Sequence, residues 1–347
     1  LGLGVGCKGC KSDCPAGVDL AKLKAEVKHQ HHEEEGAGLR EKAFADIETM
    51  SRVGSALAPL SNWVPKLPGA RWAMEKTLGI AAERELPTFR RETLTDWFEA
   101  RGGPQVSAAD AEDRVLLFPD TYTNYSYPEP GKAAVEVLEA AGIRVEIPDD
   151  VGPSGRAAFS MGFLDKVRER AEHNVDALAP YVEDGYSVVF VEPSDAVMFQ
   201  DEYRDVLDGA DAEAVSAAAF GVLEYLDRKR LDEAVEWDAP GGAVAYHGHC
   251  NQKATNKDHH AVGVLRRAGY EVDPLDSSCC GMAGSFGYEA EHYDLSQAIG
   301  RILFRQVEES DAPGVTAPGA SCRSQLGDRE GHDQPPHPVE KLAAALA

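Results

Sequence analysis

From about residue 113 short apolar runs alternate with longer amphipathic stretches. Val115-Leu116-Leu117-Phe118, residues 143–147 and Val188-Val189-Phe190-Val191 each predict a short buried strand. Such compact apolar runs, bounded by turn formers, suit strands covered on both faces. Residues 132–141, closed by Gly142, and residues 163–182 predict the helices between them. Strand and helix in alternation give βαβ units and a parallel sheet, so the expected fold class is α/β. Upstream the pattern changes. Residues 16–53 predict helix, with Val18, Leu20, Leu23, Val27, Leu39 and Phe44 forming an irregular apolar face. Residues 54–110 are broken by Pro59, Pro65, Pro68 and Pro87, which predicts a connector of short helices. Its tryptophans, Trp63, Trp72 and Trp97, are expected to form local core, or failing that to dock another domain.

The strand–helix rhythm then occurs a second time. Residues 137–145 (VLEAAGIRV) match residues 264–272 (VLRRAGYEV). In that register Thr123 stands opposite Cys250, and residues 192–195 stand opposite 319–322, with Asp195 in the place of Cys322. Pro153-Ser154-Gly155 aligns with Cys279-Cys280-Gly281 after a slip of one residue. One fold is duplicated, and the first copy has no thiol at any matching position. The expected segments are 1–53, 54–112, 113–237 for the first repeat and 238–347 for the second.

Composition narrows the field. Among 347 residues, 59 acidic side chains face 35 basic ones, a formal net charge of −24. Bulk charge of that sign excludes nucleic acid as a partner and disfavours attraction to an anionic membrane as a whole body. It fits a halophilic protein that stays soluble in high salt. No run of 18 apolar residues exists to span a bilayer. The chain opens without methionine or secretory leader, and Leu1-Gly2-Leu3-Gly4-Val5-Gly6 runs straight into a cysteine motif. The expectation is therefore the C-terminal part of a longer polypeptide.

The cysteines supply the chemistry. Seven of them fall into two groups, Cys7, Cys10, Cys14 and Cys250, Cys279, Cys280, Cys322. An odd number at short spacings reads as ligation rather than a disulfide framework, which implies a reducing, cytoplasmic compartment. Cys279 and Cys280 open a glycine-rich turn, and with Cys250 and Cys322 they complete a set of four. Four soft thiolates suit an iron–sulfur cluster or zinc. Gly281, Gly284 and Gly287 would let backbone N–H groups approach the sulfurs. Cys7-Lys8-Gly9-Cys10-Lys11-Ser12-Asp13-Cys14-Pro15 matches the last three cysteines and the proline of a bacterial ferredoxin run, with Gly4 at the first position. A decayed site, or a zinc knuckle completed by His29, His31 or His32, stays open as the alternative. Residues 29–35, rich in His and Glu, are expected to form a solvated face. No dinucleotide-type glycine loop opens a βαβ unit, so no flavin is expected in this chain.

These motifs resemble the cysteine-rich CCG domain of heterodisulfide reductase B subunits. That domain recurs in iron–sulfur subunits of glycolate oxidase, lactate-utilisation proteins and anaerobic glycerol-3-phosphate dehydrogenase. The resemblance is greatest to the C-terminal region of large FAD-linked D-2-hydroxyacid dehydrogenases of the D-lactate and D-2-hydroxyglutarate type. The segment from Cys7 to Lys22 looks like their second ferredoxin motif. Gly155-Arg156 and Phe159-Ser160-Met161-Gly162 match the first repeat; residues 247–253 and 279–287 match the second. The resemblance implies an electron-transfer module with [4Fe-4S] clusters on the seven cysteines, the N-terminal three near the flavin and the other four further out. It places FAD in an upstream domain or a partner chain, with a quinone or another redox protein as acceptor, in the cytoplasm or on the inner face of the membrane. His247, His249, Lys253 and Arg323 would tune the potential. Three departures stand out: Gly4, the thiol-free first repeat, and Cys322-Arg323-Ser324-Gln325 where many relatives have C-x2-C. The rival readings are a disulfide reductase of the heterodisulfide type and a zinc-binding docking domain.

Overall fold

The computed structural model describes residues 4–239 and 241–347. Leu1-Gly2-Leu3 of the opening run lies outside the described residues. Among the described residues seven strands form two sheets. β1 (Asp113–Leu117), β2 (Ile143–Glu146), β3 (Ser187–Phe190) and β4 (Ala219–Gly221) build the first, in the order β2-β1-β3-β4 and parallel throughout. β5 (Ala243–Tyr246), β6 (Glu271–Pro274) and β7 (Val315–Thr316) build the second, in the order β6-β5-β7, again parallel. Strands β2-β1-β3 and β6-β5-β7 have one topology, so the repeat read from residues 137–145 and 264–272 is a repeat of structure.

Side-chain alternation along the strands splits the core into layers. Val115 and Leu117 of β1, with Val244 and Tyr246 of β5, point into a core that both sheets share. Helices Pro128–Ala140, Val222–Lys229, His259–Arg267 and Pro338–Ala343 fill it. Leu116, Val188 and Phe190 point the other way, onto Leu164–Glu183. In the second sheet Ala245 and Val315 do the same, and there the core reaches Cys280 and Cys322.

The N-terminal third is helical, as its pattern predicts. Leu20–Glu35 is capped by Asp19, whose carboxylate accepts the N–H groups of Ala21 and Lys22 at 3.1 and 3.2 Å. Leu39–Ala45 and Ile47–Ala56 follow, then the short helices Leu60–Trp63, Ala70–Leu78 and Leu94–Ala100. The tryptophans divide. Trp97 packs on the shared core, whereas Trp63 and Trp72 are 60% and 64% exposed, which corrects the local-core expectation for those two. In the histidine tract His31 and Glu33 to Glu35 face solvent. His32 turns inward instead, its ring 4.8 Å from that of Phe163. Arg84, fully buried, bolts the connector to the second repeat: it donates to Gly287 O (2.9 Å), Ser296 Oγ (3.0 Å) and Gln325 Oε1 (2.9 Å) and pairs with Asp328. Gln325 is thereby committed to this network. Among the described residues no helix is long and apolar enough to cross a membrane.

Candidate metal centre

The second group of thiols gathers at the carboxyl ends of parallel strands, where the loops of such sheets meet. The β5 loop brings His247, His249 and Cys250, the last opening helix Cys250–Ala254. The β6 loop brings Cys279 and Cys280. The β7 loop leads to Cys322 in the first turn of Ala320–Gly327. Cys250, Cys280 and Cys322 are buried and Cys279 is half-buried. Cys280 lies within hydrogen-bonding reach of Cys279 and Cys322, and Cys250 is near enough to feel the charge of Cys280.

Local chemistry holds the loops in place. Gly281 has φ +92°, and a Cβ there would stand 2.4 Å from Ser296 O, so glycine is required where the chain reverses behind the vicinal pair. Its N–H points at Cys279 Sγ, 3.3 Å away. Lys253 Nζ donates to Ser277 O at 2.6 Å and Leu275 O at 3.2 Å, clamping the β6 loop to the β5 loop. His247 Nδ1 meets Ser277 Oγ at 2.7 Å, while its buried Nε2 has no hydrogen-bond partner. Of the residues expected to tune the site, His247 and His249 lie beside Cys280. Lys253 is a loop clamp. Arg323 rests on the ring of Tyr127, 5.2 Å from its centroid, with Nε unpaired.

The thiols share their protons unevenly. Hydrogen bonds from Cys279, then Cys322, draw Cys280 well below the usual thiol range. The same bonds push Cys279 and Cys322 well above it, and burial pushes Cys250 up to about 12. Four bare thiolates cannot coexist in so dry a pocket; a multivalent cationic centre would let them all ionise. The donor set is soft and mostly buried, with Cys280 close to two of the other thiols. Such a set of thiolates fits an iron–sulfur group or zinc.

The N-terminal cysteines part company. Cys10 is exposed. Cys14 lies at the surface, its thiol lowered by the N–H groups of Val18 and Ala16. Cys7 turns inward to Cys279, whose thiol lowers it to about 7 against the opposing effect of burial. Sequence reasoning missed what fixes it there. Lys8, 1% exposed, reaches Asp19 and Glu202 at 2.7 Å each and Asp201 at 3.1 Å. A lysine between two cysteines gives no local sign of burial.

The matching place in the first repeat carries oxygen instead of sulfur. Ser154 hydrogen-bonds Asp195, and Asp120 accepts the N–H groups of Tyr122 and Thr123 at 3.1 and 2.9 Å. Glu192 reaches across the repeats to accept Ala320 N–H at 2.8 Å. Burial, then Glu192, pushes Asp120 up to about 6; burial, then Asp120, pushes Asp195 well above the usual carboxylate range. Asp195 was visible in the repeat alignment. Asp120 was not, although an Asp opening Asp-Thr-Tyr-Thr is a helix-cap signal.

Residues 116–194 and 244–327 match the family described as CCG, cysteine-rich domain, once in each repeat. The chain is 31% identical to the C subunit of anaerobic glycerol-3-phosphate dehydrogenase from Escherichia coli (strain K12), over 89% of this chain and 78% of that protein. It is 25% identical to D-2-hydroxyglutarate dehydrogenase of Haemophilus influenzae, over 98% of this chain but only 34% of that protein. Against the glycolate oxidase iron-sulfur subunit of Escherichia coli (strain K12) identity is 24%, over 98% and 80% of the two chains. With both repeats matched and a relative 31% identical over 78% of its own length, the chain belongs to the cysteine-rich CCG family of oxidoreductase proteins.

Proposed function

We propose that the chain is the iron–sulfur electron-transfer part of a flavin-linked dehydrogenase. The observation that carries this reading is the gathering of Cys250, Cys279, Cys280 and Cys322, from three loops, into one mostly buried pocket. A [4Fe-4S] cluster held there would accept and release one electron at a time with little change of shape. The protein's share is to keep that pocket dry, to direct the Gly281 N–H at a sulfur, and to set His247 and His249 beside Cys280. Cys10 and Cys14 face outward, as residues of a ferredoxin-type segment continuing upstream would. FAD belongs in that upstream region or a partner chain; the chain spans about a third of the D-2-hydroxyglutarate dehydrogenase it matches. The oxidised substrate would be a D-lactate-like 2-hydroxyacid.

The acceptor is a quinone or a second redox protein. A cleft of about 950 Å³, lined by Phe44, Met74, Phe89 and Phe159, leads to Cys279 and Cys280. The protein works in the cytoplasm, on the inner face of the membrane. Trp63, Trp72, Leu57, Leu60, Val64 and Leu67 are exposed on the connector, and residues 49–82 carry four basic side chains against one acidic one. That pairing of apolar and basic surface suits an anionic lipid interface even in an acidic chain. Disulfide cleavage by two cooperating clusters is disfavoured, because the first repeat offers carboxylates where thiols would be needed.

The test is electron flow. Anaerobically purified protein, mixed with photoreduced flavin, should lose its broad visible absorbance and regain it on addition of a soluble quinone. Protein that stays unchanged through both additions contradicts the proposal.

A further inference from the structure

We infer that Cys7 supplies a fifth thiolate to the centre built on Cys250, Cys279, Cys280 and Cys322, rather than joining Cys10 and Cys14 in a separate site. The inference rests on the iron–sulfur reading of that pocket and specifies its ligand set.

Three contacts place Cys7 there. Its thiol lies within hydrogen-bonding reach of Cys279. The backbone N–H of the next residue, Lys8, lies near the Cys250 sulfur. A Cβ on Gly9 would stand 3.5 Å from Ser278 Cβ, so the segment is already in contact with the CCG loop. Helix Gly9–Asp13 packs against helix Cys250–Ala254, which opens on a ligand of the set. The same cleft wall carries Cys7, Cys250, Cys279 and Cys280.

The placement is braced. Lys8 is buried and held by Asp19 on one side and by Asp201 and Glu202 of the first repeat on the other. Burial works against its charge, yet Glu202 and Asp19 keep the amine above its usual value. Removing one partner of such a group is costly, so the backbone at 7–9 is preorganised rather than adaptable. The neighbouring thiols then separate by direction. Cys7 is half-buried and points inward, while Cys10 is exposed. A polynuclear group has metal atoms to spare for a fifth sulfur, which one tetrahedral ion does not.

The experiment compares the wild type with Cys7→Ser, Cys10→Ser and Cys250→Ser, each reconstituted anaerobically with ferrous iron and sulfide and then desalted. Iron, acid-labile sulfide and the EPR spectrum of the dithionite-reduced chain are read, with far-UV circular dichroism to check folding. Cys7→Ser should lose iron several-fold and shift the same signal that Cys250→Ser abolishes, while Cys10→Ser leaves that signal unchanged. Alkylation of the unsubstituted holoprotein, mapped by mass spectrometry, should find Cys7 shielded with the other four and exposed by a chelator, whatever the variants do. If Cys7→Ser keeps full iron and an unaltered spectrum, or loses only a signal it shares with Cys10→Ser, the inference is overturned and the four-thiol centre stands. A wild type that retains no iron overturns both.

Discussion

The two repeats share a strand order and differ in what their loop ends carry. In the second, Cys250, Cys279, Cys280 and Cys322 face one another; in the first, Asp120, Ser154 and Asp195 occupy the matching ground. Both sets are buried and both perturb the protonation of their members. The scaffold therefore does not dictate the chemistry: strand order, the reversing glycines (Gly155 at φ +87°, Gly281 at φ +92°) and the shared core are common, and sulfur is confined to one copy. In the oxygen set Ser154 pairs with Asp195 and Asp120 caps its own helix, its second oxygen buried without a partner. In the sulfur set burial and the shared protons hold Cys250, Cys279 and Cys322 above the usual thiol range.

The most severe way to break this contrast is to make the second repeat resemble the first. Cys280→Ser should abolish retained iron, while the melting temperature of the metal-free chain moves by no more than about 2–4 °C, the shift expected for ~1 kcal/mol in a chain of this size. Iron analysis and thermal melts check both halves of the expectation. Next in size is Lys8→Met, which cuts the brace between the N-terminal segment and the first repeat. It leaves Glu202, fully buried, with Arg156 as its remaining cationic partner at 3.0 Å, and should cost about 1.5–3 kcal/mol in denaturant titrations.

The carboxyl set makes an opposite pH signature. Asp120 has a folded value of about 6, above the ordinary 3.8, so between these limits the native state binds more protons than the unfolded chain. Its stabilising contribution is present below about pH 4 and lost as pH rises through 6. Asp120→Asn should therefore gain about 2 kcal/mol relative to wild type on going from pH 4 to pH 7.5, because the amide stays neutral and still caps the helix. Paired urea titrations at the two pH values check it. The smallest effect on stability belongs to the connector, which is part of neither repeat. Trp63→Ser with Trp72→Ser should change folding free energy by less than about 0.5 kcal/mol each, yet abolish co-sedimentation with anionic vesicles.

Much of this was legible in the residues. The strands at 115–118, 143–147 and 188–191, the helix at 163–182 and the duplication appear within a residue or two, while the helix expected from 132 opens four residues earlier at Pro128, because buried parallel strands and amphipathic helices leave periodic traces. The four-thiol set was legible because vicinal cysteines before a glycine have few other uses. What escaped was set by long-range packing. Lys8 reads as a surface lysine until Asp201 and Glu202, almost two hundred residues away, close over it. The turn of Cys7 toward Cys279 depends on the same distant brace. Trp63 and Trp72 read as core because composition cannot show that the described residues leave them mostly uncovered.

Iron and acid-labile sulfide, counted per chain in protein purified without air, test the central claim most directly. Several irons matched by a similar number of sulfides, in a brown protein, is the result expected. A colourless protein with one zinc and no labile sulfide would contradict it.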